Sequence, residues 1–220
     1  MPINKSIVVR VTPFIFYIVV MVLSGLLADM KVDVRWIYAI RVAGTALILF
    51  CLRSQYAELT WPPRMSLVSF IFSVLMGLLV YLLWINLDQQ WMVLGKSVGY
   101  DPRNADGDLN YPMIAMRLTG AALVVPVMEE LFWRSFLMRW VDRMDFTSLS
   151  PASVSIKAIV LSSLLFASEH TYWFAGLVAG LAYAWLYLKT QNLWTSILAH
   201  IVTNAALGVW VVYTGEWIYW

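Results

Sequence analysis

The stretch Met113-Ile-Ala-Met-Arg-Leu-Thr-Gly-Ala-Ala-Leu-Val-Val-Pro-Val-Met128 runs without a break into Glu129-Glu130-Leu-Phe-Trp-Arg134. Its first part has the length and apolarity of a membrane helix, and its end carries Glu129, Glu130 and Arg134. A charge near a bilayer centre costs about 2.5–3.5 kcal/mol on insertion scales, so three so close together need a reason. The surrounding chain fits the same reading. Of its 220 residues 61% are hydrophobic and 13% charged, against roughly 45–50% and 25% in soluble domains. The expected fold is therefore an all-α, polytopic membrane helix bundle, a single integral membrane domain over residues 1–220 with no separate soluble unit. A net charge of +2 without a basic cluster gives no sign of a nucleic-acid partner.

Seven apolar segments of membrane-helix length are legible, at about 11–29, 35–52, 65–87, 111–128, 155–170, 172–188 and 193–213. They predict about seven transmembrane helices, within a range of six to eight. The fifth and sixth are nearly continuous, so a tight turn or a re-entrant bend joins them near Glu169–Trp173. The first apolar stretch is longer than a signal-peptide core and shows no clear cleavage site, so a retained span is expected. With the N-terminus cytoplasmic, Lys5, Arg10, Arg53, Arg64, Arg139, Arg143, Lys157 and Lys189 fall on the inner side. Lys31, Arg35, Lys96 and Arg103 fall outside, and this excess of inner cations favours N-in and C-out. The polar loop at 88–110 lacks the ligand pattern of a calcium loop and reads as a solvated turn cluster. Cys51 reads as a small core residue, and Gly176-Leu-Val-Ala-Gly180 as a close helix contact within the chain.

The chain's two histidines lie in apolar segments, as Phe166-Ala-Ser-Glu-His170 and His200-Ile-Val-Thr-Asn204. Measured from the basic residues expected to mark the cytoplasmic interface, Glu129 is about 15–21 Å deep, given ~1.5 Å rise per residue. His170, His200 and Asn204 come out at about 20, 16 and 22 Å on the same basis. Four polar groups on three helices thus share one layer near the middle of a ~30 Å hydrocarbon core. Glu130 and Arg134 are four residues apart with the acid first, the favourable order for an ion pair. Glu129 lies about 100° around the helix from Glu130 and can face elsewhere. His200 and Asn204 share one helical face, as do Phe166 and His170.

The chemistry suggested is hydrolysis. A buried carboxylate suits a general base, so Glu129 with His170 can hold and deprotonate a water. His200 and Asn204 offer donors for a developing oxyanion. Direct attack by water fits these groups better than an acyl-enzyme. Zinc held by Glu129, His170 and His200 is an alternative, although the chain has no HExxH sequence. A further alternative is a non-catalytic membrane factor, serving in immunity or as a scaffold, or a proton-coupled carrier. The confinement of the polar groups to the C-terminal half argues against the carrier.

The three motifs, Glu129-Glu130-Leu-Phe-Trp-Arg134, Phe166-Ala-Ser-Glu-His170 and His200-Ile-Val-Thr-Asn204, resemble the EExxxR, FxxxH and HxxxN series of the CPBP family. That family, also called ABI, comprises CAAX proteases and bacteriocin-processing enzymes. The likeness covers about residues 111–210, which would form the catalytic core. It implies a glutamate intramembrane protease with no cofactor, in which Glu129 activates water with His170, and His200 and Asn204 stabilise the oxyanion. Glu130, Arg134 and Phe166 would support them. The implied partners are the bilayer and a membrane-associated or lipid-anchored peptide or protein. The implied location is a bacterial inner membrane. The chain is also similar to CAAX-protease-related proteins found with exosortase systems, which implies association with protein sorting.

Overall fold

The computed structural model describes residues 4–31, 33–97 and 99–220. Among these, seven helices carry the fold: α1 (Lys5–Asp29), α2 (Ile37–Leu52), α3 (Leu67–Trp84), α4 (Tyr111–Asp142), α5 (Ile156–Ser168), α6 (Trp173–Thr190) and α7 (Leu193–Thr214). Local chemistry sets their ends. Asn4, Ser66, Asn110, Ser155 and Asn192 each accept a hydrogen bond from a first-turn N–H with the side chain, which satisfies donors a helix leaves free. α6 stops at Gln191 and α7 at Gly215, both in the left-handed conformation, the usual way to close a helix.

Five of the seven, α1, α2, α3, α4 and α7, are long and apolar enough to cross a membrane. The seven helices agree with the expectation of about seven, and α5 and α6 run between the same two ends of the bundle as the longer ones. α5 has only 13 residues, or about 20 Å at 1.5 Å each, short of a ~30 Å core. It ends where the expected bend lies, between Ser168 and Trp173. Half of the most apolar window of α7 is buried, against 11% in α1 and α2. α7 and α4 therefore form the interior, and α1 to α3 turn apolar surfaces such as Val19, Leu23, Phe70 and Ile71 outward, as a lipid-facing bundle requires. Cys51 belongs to that outward surface of α2 and is exposed. Reading it as a core residue was incorrect, because apolar sequence in lipid does not distinguish a buried face from a bilayer-facing one.

Contacts between loops define two ends. At one, Arg10 of α1 reaches Glu58 in the α2–α3 connection, with Nε 2.7 Å from Oε1. Ser135 donates to the same carboxylate, and Arg139 Nη2 donates to Ser135 at 2.9 Å. Burial alone would raise the Glu58 carboxyl, but its hydrogen bonds to Arg10 and Ser135 and the charge of Arg10 hold it below the usual range. Asn192 donates to Arg64 O and Trp194 to Thr60 O at this end too. At the other end, Arg35 donates to Arg103 O, Tyr100 N–H to Trp217 O, and Trp173 to Trp91 O. The grouping of basic residues expected from helix alternation holds at these contacts.

Candidate active site

α4 is not a regular helix. Residues Gly120–Val124 and Leu131–Leu137 are π-helical, and they bracket the ordinary helical turns that present Glu129 and Glu130. The first irregularity follows from Pro126. Val125 N–H bonds Gly120 O, five residues back. The next N–H, which would reach Ala121 O in the same register, is missing because residue 126 is proline. The freed Ala121 carbonyl accepts from Asn204 Nδ2 at 2.8 Å. A carbonyl can only accept, so the amide orientation is fixed and Asn204 keeps one N–H for another partner.

Glu129 and Glu130 are both buried, and they differ in what they touch. Glu130 Oε1 lies 3.2 Å from Arg134 Nη1 and accepts from His200 Nδ1 at 2.9 Å. Arg134 lies over the Phe166 ring, 4.4 Å from its centroid, and near Tyr183. The expected ion pair is present, and its carboxylate also accepts from a histidine three helices further along the chain. Glu129 Oε2 has no hydrogen-bond partner among the described residues and stands 3.9 Å from His200 Nε2.

His170 donates from Nδ1 to Phe166 O at 2.8 Å. Because that partner is a carbonyl, Nδ1 carries the proton, and the neutral ring offers a lone pair at Nε2. Phe166 packs on His170 with centroids 4.6 Å apart, and Trp84 meets the same ring edge-on. His200 stacks on Tyr183 at 4.8 Å, and the Tyr183 hydroxyl donates to Thr203 at 2.8 Å. Thr203 in turn donates to Gly77 O. Tyr183 and Thr203 escaped notice in the sequence, although Thr203 lies three residues from His200 and so on its helical face. The small residues of α6 act here as well: a Cβ on Gly176 would sit 3.3 Å from His170, and one on Gly180 3.4 Å from Phe166. The expected close contact is thus intramolecular and holds the FxxxH segment against α6.

Glu129, His170, His200 and Asn204 line one cavity of about 240 Å³. Glu130 and Arg134 lie behind its wall, and Phe166 forms part of it. Glu169 and Arg117 reach the same space. Glu129 and His170 share the cavity without a direct hydrogen bond. His200 is different: its Nδ1 proton goes to Glu130, so the ring can donate into the cavity only when Nε2 is also protonated. For the zinc alternative, the described residues contain no group of three His, Cys, Asp or Glu placed to hold a metal ion.

A family model described as type II CAAX prenyl endopeptidase Rce1-like matches residues 111–206, from the start of α4 into α7. All three motifs lie inside the match. No curated protein and no solved structure matches the chain.

Proposed function

We propose that this chain, a member of the CAAX protease family through its Rce1-like segment 111–206, is a glutamate-dependent endopeptidase acting within a bacterial inner membrane. The observation that carries this reading is Glu129 Oε2, buried and unpartnered, in a cavity shared with His170, His200 and Asn204. A water held between Glu129 and His170 attacks the scissile carbonyl, and its proton passes to Glu129 as the new C–O bond forms. The oxyanion is met by the free Asn204 N–H and by His200 Nε2–H. Glu130 orients the His200 ring by accepting from its Nδ1. When the tetrahedral species collapses, the C–N bond breaks and Glu129 returns its proton to the leaving amine. The substrate is a membrane-associated or lipid-anchored polypeptide, and the subgroup resemblance points to one handled in protein sorting.

The test compares new peptide termini in host membranes carrying the native chain, Glu129→Ala or His200→Ala. Termini that appear only with the native chain are expected, and metal analysis of the chelator-treated active protein runs alongside. If both folded variants keep full function in the host, the protease reading is wrong.

Residues lining the cavity include Met21 in the second half of α1, Tyr38 near the start of α2, Trp84 closing α3, and Tyr219. Its mouth therefore faces the end opposite the N-terminus. With the basic residues of the other end inside, substrate enters from the outer face. In a Cys51→Ser background, Lys96→Cys and Glu216→Cys are expected to react with an impermeant maleimide in intact cells. Met144→Cys is expected to react only after permeabilisation. The reverse pattern would place the mouth on the cytoplasmic side.

A further inference from the structure

Three of the arginines set into the bundle are matched by acids. Arg10 and Arg139 share Glu58, and Arg134 has Glu130. Arg41 and Arg117 break this pattern. Neither forms an ion pair among the described residues, and the Nε of each is shut from solvent with no hydrogen-bond partner. Aromatic rings hold them instead. Arg41 lies 4.5 Å from the Tyr17 centroid and 4.9 Å from that of Tyr38, and Arg117 lies 4.5 Å from Tyr38 and 5.2 Å from Tyr100. The buried Tyr100 hydroxyl is also unpartnered. An arginine that snorkels to the interface turns its head to water. These two are instead clamped side by side on one tyrosine.

They line a second cavity of about 180 Å³. Tyr38 and Arg117 border both this space and the cavity of Glu129, so the two adjoin. The acids nearby are already engaged: Asp101 with Arg103, and Asp33 with Arg35. The site therefore carries two uncompensated positive charges and a spare hydroxyl, beside the path a substrate takes.

We propose that Arg41, Arg117 and the Tyr100 hydroxyl form a subsite for a carboxylate of the peptide substrate, as a specificity element of the protease proposed above. Arg117 precedes Glu129 by 12 residues of α4, or roughly 18 Å at 1.5 Å per residue. An extended chain covers that span in about five to six residues at roughly 3.3 Å each. The recognised carboxylate, whether the chain's terminus or an Asp or Glu side chain, thus lies about that far from the scissile bond. A peptide source is favoured over a lipid headgroup by the continuity of the two cavities.

Binding is measured apart from cleavage, with full-length Glu129→Gln chain in nanodiscs. The probes are randomised fluorescent decapeptide pools in three forms: free α-carboxylate without acidic residues, its C-terminal amide, and the amide with one Glu walked along the chain. The free carboxylate or one Glu position is expected to bind roughly 30-fold or more tighter than the neutral amide, as for charge pairs away from water. Arg117→Gln and Arg41→Gln should erase that difference, whereas the exposed Arg53→Gln should keep it. No preference for a carboxylate in any pool overturns the proposal. So does a loss in the arginine variants that is equal for acidic and neutral peptides, or that follows only the anionic lipid content of the nanodisc. A charge preference in a chain that cleaves nothing would keep the subsite and remove the protease reading. Cleavage without the preference would do the opposite.

Discussion

Glu129→Gln is expected to lower peptide-bond hydrolysis by about 10²–10⁴-fold, the usual contribution of a positioned general acid–base group. The replacement keeps the shape of the side chain and removes its ability to accept a proton. Glu129 Oε2 makes no hydrogen bond that the amide would forfeit, and a neutral amide is easier to bury than a carboxylate. Thermal unfolding of the purified variant should accordingly match or exceed that of the native chain. The prediction is thus a separation: rate lost, fold kept. Turnover within tenfold of native, in a variant that unfolds normally, would remove Glu129 from the role of base. Glu169→Gln is the informative companion. It faces the same cavity but leaves the Glu129–His200 contact untouched, so its effect should stay well below that of Glu129→Gln.

That separation rests on a division of labour only partly visible in the sequence. Helix number, the shared depth of four polar groups and the Glu130–Arg134 spacing were readable, because each depends on periodicity and rise along single helices. The Glu130–His200 bond was not, since it depends on how α4 and α7 are rotated against each other. Spacing pairs Glu130 with Arg134 on its own helix, whereas the structure also makes it the anchor of a histidine on another. The role of Asn204 was half legible. Its place beside His200 on one face followed from i,i+4 spacing, but its bond to Ala121 depends on a carbonyl released by Pro126 and the π-helical register. The exposure of Cys51 and the shortness of α5 show the limit from the other side. Hydropathy reports what lipid tolerates, and it does not tell which apolar surface another helix covers.

Arg134→Met is expected to cost about 3–5 kcal/mol of stability, the usual consequence of leaving one member of a buried ion pair behind. Glu130 is fully buried, and among the described residues Arg134 is its only cationic side-chain partner apart from His200. Methionine roughly retains the volume over Phe166 and Tyr183, so lost packing is a small part of the effect. Adding Glu130→Leu removes the stranded charge, and the double variant should therefore be more stable than the sum of the two single losses predicts. Neighbouring residues that share an interaction fail additivity in this way. Activity should not follow. Leucine gives His200 Nδ1 nothing to donate to, so the ring loses the contact that orients it. Hydrolysis by the double variant should stay about 10²-fold or more below native even as unfolding recovers, by analogy with the carboxylate that orients a catalytic histidine. Unfolding curves and turnover measured on the native chain, the two single variants and the double variant complete the cycle. If turnover returns with stability, Glu130 serves only the fold. If stability returns alone, the second glutamate of the doublet is the residue that makes His200 a donor.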